Sequence, residues 1–212
     1  MKQSAEWERA YRKTRRNLAT RERRIRLFEF NSGQSILDYG CGDGLDLRVF
    51  QELGYNKKVY GFDSSHGLLA DARGFKVILA DGYSLPLAPQ SLDAVFINGV
   101  LHHLVDVERA LGEIERILVP GGFLCVIEPT SSLLRWLADR LTLSPLARFS
   151  SFLSFRKKML MEELPLQRRW LAVEKRFPLL LKRHGFEVLL LKRTPFSVFI
   201  KARLKGFPPQ AT

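Results

Sequence analysis

Ile36-Leu37-Asp38-Tyr39-Gly40-Cys41-Gly42-Asp43-Gly44-Leu45-Asp46 is the stretch that decides the fold. A short apolar run ends on an acidic residue and passes into three glycines at alternate positions. This pattern predicts a buried strand, a tight turn and then a helix. Glycine has no side chain to block a ligand, so a nucleotide-like molecule can approach the backbone there. The carboxylate of Asp38, two residues before the first glycine, favours a cationic ligand over a pyrophosphate.

Working outward, Lys58–Asp63 and Lys76–Ala80 read as the second and third strands, each running into an acid, Asp63 and Asp81. Leu92–Asn98 and Phe123–Ile127 read as the fourth and fifth. Helices are predicted between them over Asp43–Leu53, closed by Gly54, and Leu68–Arg73, stopped by Gly74. A third helix follows Asp106, a good N-cap, carries Ala110, Leu111, Ile114, Ile117 and Leu118 at core spacing, and ends at Pro120-Gly121-Gly122. Ser84–Pro89 holds two prolines and reads as a loop. Strands alternating with helices at this spacing imply a parallel sheet covered on both faces, with ligands outside the carboxyl ends of its strands. Asp38, Asp63, Asp81 and Asn98 all lie at or just past those ends.

The flanks differ in character. Residues 5–30 read as an amphipathic helical region with Trp7, Tyr11, Leu18, Leu27 and Phe28 among many arginines. After Ser131 a helix carries Leu133, Leu134, Trp136, Leu137 and Leu141 up to a break at Pro145. Phe149, Phe152, Phe155 and Met159 then interleave with Arg148, Arg156, Lys157 and Lys158. Trp170–His184 reads as one helix with a kink at Pro178, and Phe186–Leu191 with Phe196–Lys201 as a closing strand pair.

The net charge of +12 is unevenly distributed. Residues 1–30 hold ten Lys/Arg against four Asp/Glu (+6), residues 31–130 seven against 13 (−6), and residues 131–212 17 against five (+12). An acidic centre thus carries the glycine turn between basic flanks, which suit nucleic acid or an anionic membrane surface. No apolar run approaches the roughly 18 residues of a membrane span, and no signal-peptide core or transit-peptide composition stands at the N-terminus. The two cysteines, Cys41 and Cys125, fall in core-like segments, so neither a disulfide framework nor a zinc cluster is implied. A cytoplasmic protein, peripheral to a membrane if the basic flanks dock there, is the expectation.

Five motifs together resemble the class I S-adenosylmethionine-dependent methyltransferases of the broad ubiquinone/menaquinone type, the methyltransferase type 11 group. They are Leu37–Gly44, Gly61-Phe62-Asp63-Ser64-Ser65, Ala80-Asp81-Gly82 followed by Leu85-Pro86 and Ser91–Val95, Leu101-His102-His103-Leu104, and Leu118–Gly122. The resemblance covers roughly residues 34–128. It implies an α/β, Rossmann-like, doubly wound, mostly parallel seven-stranded sheet with helices on both faces and a helical lid. It divides the chain into a basic helical cap (1–33), a cofactor-binding core (34–130), a lid (131–170), and a last helix with the closing strand pair (171–212).

The resemblance also assigns residues. Asp38 with the turn Gly40, Cys41, Gly42 and Gly44 receives the methionine end of S-adenosylmethionine, and Asp63, beside Ser64, accepts from the ribose hydroxyls. Asp81 and Gly82 meet the adenine, and Asn98 and Gly99 border the methyl group and the acceptor. Neighbours in a helix or strand point apart, so at most one of His102 and His103 is expected to face the substrate, and the resemblance favours His103 as a catalytic group. A base is needed only where the acceptor loses a proton. No metal is expected, because no second ligand cluster accompanies the pair.

The expected reaction is direct displacement of the methyl group by a small, lipidic or anionic acceptor, with a peripheral contact to an anionic membrane. The alternatives are methylation of RNA such as tRNA, for which no RNA-binding module is visible, and a non-catalytic cofactor-binding protein. A nicotinamide-dependent oxidoreductase is disfavoured by Leu45 at the third glycine position of G-x-G-x-x-G. Asn98-Gly99-Val100-Leu101 also lacks the Asn/Asp-Pro-Pro-aromatic signature of enzymes acting on planar exocyclic amines.

Overall fold

β1 (Ile36–Tyr39) is buried along its whole length between two parallel neighbours, β2 (Val59–Asp63) and β4 (Leu92–Asn98). Its alternate residues serve opposite faces of the sheet. Leu37 and Tyr39 pack with Val95 and Ile97 on one face, and Ile36 packs with Phe50, Ala94 and Phe96 on the other. Asp38 shares the second face, the one covered by the helix after the glycine turn, and this is why its carboxylate is buried.

The computed structural model describes residues 17–55 and 58–206, with the side chains of Ser151, Phe152, Phe155 and Met159 outside that description. The expectations for Trp7 and Tyr11, and for the packing of Phe152, Phe155 and Met159, lie outside the described residues. With β3 (Val77–Leu79), β5 (Leu118–Pro129), β6 (Phe186–Arg193) and β7 (Ser197–Leu204), the sheet has the order β3-β2-β1-β4-β5-β7-β6. All pairings are parallel except those of β7, which is antiparallel to β5 and β6. The chain winds outward from β1 to β3 and then returns to β4. The reversal therefore falls between β1 and β4, where a doubly wound sheet opens its ligand crevice.

The described helices are α1 (Leu18–Arg26), α2 (Leu45–Glu52), α3 (His66–Leu69), α4 (Val107–Ile117), α5 (Leu133–Leu143), α6 (Ser151–Val173) and α7 (Phe177–Arg183). Asp106 caps α4 as expected, accepting from the Arg109 amide at 2.9 Å. Ile25 at the end of α1 and Phe28 just beyond it are fully buried against Phe96 and Phe50. The N-terminal helix is therefore docked on the sheet rather than standing apart.

Three expectations about elements are corrected. Pro120-Gly121-Gly122 does not separate helix from strand, because β5 begins at Leu118 and runs through it. Leu118 pairs with Leu92 and Phe123 with Ala94, so the Pro-Gly-Gly stretch is a bulge, a place where a sheet tolerates proline. Trp170–His184 is not one helix: α6 ends at Val173, a 3-10 turn spans Glu174–Arg176, and α7 starts at Phe177. Pro178 sits in the first turn of α7, where its missing N–H costs no helical bond. The helix expected over Leu68–Arg73 forms at His66–Leu69, capped by the Ser65 hydroxyl, which accepts from the Leu68 amide.

Candidate active site

The glycine turn is held by its own neighbours. The amides of Gly40 and Cys41 both donate to the Phe62 carbonyl at 2.9 Å, and the Gly44 amide donates to the Cys41 carbonyl at 3.0 Å. The Gly42 amide donates to Asp63 Oδ2 at 2.9 Å. With these N–H groups engaged inside the protein, the turn is no phosphate cradle. Gly40 has φ +75°, and a Cβ there would lie 2.7 Å from Val100 Cγ2, so the position admits only glycine without strain.

The charges around the turn are carboxylates. Asp38 is 2% exposed, and its Oδ2 has no hydrogen-bond partner. Burial, then the neighbouring Asp46 carboxylate, holds the Asp38 carboxyl well above the usual range, with Arg21 acting in the opposite direction. Asp43 is raised for the same first reason, again opposed by Arg21, and its Oδ1 is likewise buried without a partner. Asp46 Oδ2 meets the Arg21 guanidinium at 2.5 Å and accepts from the Asn98 amide at 2.9 Å. A second positive group placed at Asp38 would meet an unsatisfied buried acceptor, the kind of atom that costs about 1–3 kcal/mol when left alone.

The sheet aligns the remaining candidates along one edge. Asp63, at the end of β2, accepts from the Ser65 amide at 2.8 Å as well as from Gly42, so its carboxylate is fixed between two loops. Ser64 beside it is exposed. Asp81, past β3, is exposed and accepts from the Tyr83 amide at 3.0 Å, while buried Gly82 uses its carbonyl to accept from the Tyr39 hydroxyl at 2.9 Å. Asn98 ends β4, and the Gly99 amide donates to the Ile127 carbonyl at 2.8 Å. The Cys41 and Cys125 thiols are buried, which pushes both up and suits packing rather than nucleophilic chemistry.

Beside Asn98 and Gly99 lies a cavity of about 350 Å³. α1 contributes Arg21 and Arg24 to it, α5 contributes Arg135, and α6 contributes Glu163 and Gln167. Ile127, Glu128 and Pro129 of β5 and Phe196 and Ser197 near the start of β7 complete the wall with His102. The Arg135 guanidinium donates to Gln167 at 2.6 Å, joining the two lid helices. His103 is half-buried and is not part of the wall. The two histidines occupy a 3-10 turn, Leu101–His103, with ring centroids 4.1 Å apart and planes tilted by 38°. Opposite facing, which holds in a strand, does not carry over to that turn.

Sequence reasoning missed Arg21, Asp46, Arg135 and Glu128. Glu128 had a readable signal, an acid near the end of the fifth strand as at Asp38 and Asp63. Arg21 and Arg135 are two of many arginines and had none. Among the described residues, no cluster of three or more His, Cys, Asp or Glu is placed to hold a metal ion, and no helix is long and apolar enough to cross a membrane.

Comparisons with known proteins agree with this fold. The profile of a family described as "Methyltransferase domain" matches residues 37–126. The ubiquinone/menaquinone biosynthesis C-methyltransferase UbiE of Campylobacter jejuni is 30% identical over 185 residues, covering 80% of this chain and 78% of that protein. The tRNA (carboxymethyluridine(34)-5-O)-methyltransferase of Arabidopsis thaliana is 36% identical over 118 residues, covering 50% of this chain and 28% of that protein. The chain spans under a third of the length of several curated relatives it matches. In fold, it is similar to a crystal structure of an S-adenosylmethionine-dependent methyltransferase from Aquifex aeolicus. The TM-score is 0.67 at 17% identity, covering 96% of this chain and 100% of that one. With the strand order, the acid-flanked glycine turn and a relative matched over most of both chains, the protein belongs to the class I S-adenosylmethionine-dependent methyltransferases.

Proposed function

We propose that the protein transfers the methyl group of S-adenosylmethionine to a small acceptor that is anionic and partly apolar, taken up from an anionic membrane surface. The observation that carries this reading is the cavity beside Asn98 and Gly99. It joins Arg21, Arg24 and Arg135 to the apolar surface of Ile127, Pro129 and Phe196. Guanidinium groups are the residues of choice for carboxylate, phosphate or phenolate oxygens.

The residues at the strand ends fit the cofactor. Unpartnered, buried Asp38 Oδ2 suits the ammonium of the methionine end, Asp63 the ribose hydroxyls, and Asp81 with Gly82 the adenine. When bound, S-adenosylmethionine supplies a methyl carbon already activated by its sulfonium. The remaining task for this chain is to align the acceptor and exclude water, and alignment alone can lower a barrier by about 7 kcal/mol in favourable cases.

The lid supports delivery from a membrane. Leu133, Trp136, Leu137 and Leu141 form an exposed apolar stripe on α5, and Phe149 nearby is 74% exposed. Arg140 lies over the Trp136 ring and Arg148 over the Phe149 ring. Basic groups interleaved with exposed aromatic ones suit the boundary between anionic headgroups and acyl chains. The quinone methyltransferase relative also aligns across the flanks, over 80% of this chain, whereas the tRNA methyltransferase relative aligns over half.

The test is transfer of radiolabelled methyl from S-adenosylmethionine into fractionated cell extract, with Asp63→Ala as control. Label in the organic phase, absent with the variant, is the expected result. Label confined to RNA would instead support methylation of RNA, the reading favoured by the basic flanks and by the Arabidopsis relative.

A further inference from the structure

His102 is one group in the cavity wall whose chemistry the reading above leaves unused. It sits in the turn after β4, directly past the strand end that carries Asn98 and Gly99, and is 3% exposed. Its Nδ1 lies 2.7 Å from Glu128 Oε2. Glu128, 1% exposed near the end of β5, uses its other oxygen to accept from the amides of Val100 at 2.7 Å and Leu101 at 2.6 Å. As a carboxylate, Glu128 offers only an acceptor at Oε2, and the ring nitrogen facing it then carries the proton. Nε2 is then a bare lone pair. It is buried and has no hydrogen-bond partner. Buried polar atoms in folded proteins are nearly always satisfied, and one left open beside a cavity asks for a ligand.

We propose that His102, oriented by Glu128, takes the proton from a weakly acidic hydroxyl of the acceptor held in this cavity. The inference rests on the methyl-transfer reading and deepens it by naming the reacting group of the acceptor. The acceptor's O–H bond breaks and its proton goes to His102 Nε2. The oxygen's electron pair forms the bond to the methyl carbon, and the C–S bond releases its electrons to the thioether sulfur. The resulting imidazolium is met by the Glu128 carboxylate. Arg21, Arg24 and Arg135 in the same wall complement the charge that develops on the oxygen. Glu128 is a positioning residue: it sets the tautomer and the ring orientation and touches no reacting atom.

Two measurements test this. The first needs no acceptor: nitrogen NMR of histidine-labelled protein reports the tautomer of His102. The Nδ1–H form is expected in the wild type, with a mixture of tautomers in Glu128→Gln, whose amide offers both a donor and an acceptor. An Nε2–H form in the wild type would overturn the proposal. The second is the methyl-transfer assay with His102→Gln, which keeps a donor for Glu128 and so protects the fold. Transfer is expected to fall at least about 100-fold, as when a general base is removed. S-adenosylmethionine affinity by calorimetry should stay within about twofold, because His102 lies on the acceptor side. Added imidazole should restore part of the activity of His102→Ala. Wild-type transfer with an undiminished His102→Gln rate would reject His102 alone. Absence of transfer by the wild type would reject the methyl-transfer reading and the proposal with it.

Discussion

The Arg21 guanidinium lies 2.5 Å from the Asp46 carboxylate, and each side chain is 8% exposed. This pair ties α1 to the first turn of α2, and Asn98 joins it from β4 by donating to the same carboxylate oxygen at 2.9 Å. One contact therefore links the N-terminal helix, the helix that follows the glycine turn and the strand end beside the cavity.

Removing one member of a buried pair leaves the other as an uncompensated charge. Arg21→Ala should destabilise the fold by about 3 kcal/mol, with Asp46→Asn costing less because the amide still fills the site. Urea denaturation of the two single variants and the double variant gives the coupling energy. A coupling near zero would show that the ion pair does not hold α1 and that apolar packing through Leu18, Ile25 and Phe28 does more.

Under the proposed function, the raised carboxyl of Asp38 should make S-adenosylmethionine binding pH-dependent. Burial, Asp46, Asp63 and Asp43 favour its neutral form, and Arg21 opposes them. A cationic ligand needs the carboxylate, so S-adenosylmethionine affinity should fall as pH drops through the raised pKa, and binding should release a proton. The ligand-free protein should respond oppositely. A carboxyl whose folded pKa exceeds its unfolded one gives up more of its burial cost as pH falls towards the ordinary Asp value, which favours the fold. Calorimetry in buffers of different ionisation enthalpy measures the proton release, and Asp38→Asn should abolish it.

Gly40→Ala should impair both stability and cofactor binding. Its left-handed backbone costs a side-chain-bearing residue about 1–2 kcal/mol, and the new methyl would press on Val100 at 2.7 Å. Adding Val100→Ala relieves the contact but not the backbone cost. Thermal melts of both proteins, with and without S-adenosylmethionine, should show recovery of only part of the loss.

The exposed lid residues make a different kind of prediction. Trp136→Ser and Phe149→Ser should change stability by no more than about 0.5 kcal/mol, as expected at exposed positions. Co-sedimentation with vesicles of anionic phospholipid at low salt should nevertheless fall several-fold. Unchanged sedimentation would remove the membrane from the proposed function.

The sequence by itself determined the parallel sheet and its acidic edge. Those signals are local: an apolar run, an acid at its end and a glycine turn suffice to place Asp38, and an apolar run leading into an acid recurs at Asp63 and Asp81. Asp106 was legible as a helix cap for the same reason, since a cap acts within three residues. Only the tertiary structure decided the rest. Arg21 meets Asp46 across 25 residues of chain, and nothing in the surrounding basic helix distinguishes it from its neighbours. Glu128 reaches His102 because β5 lies beside β4, and the choice of His102 over His103 for the cavity wall depends on a 3-10 turn whose facing no strand or helix period describes. The Pro-Gly-Gly stretch reads as a helix stop and becomes a bulge because β4 supplies its partners. Period and capping act over a few residues and can be read along the chain, whereas the cavity is defined by which faces of distant elements meet.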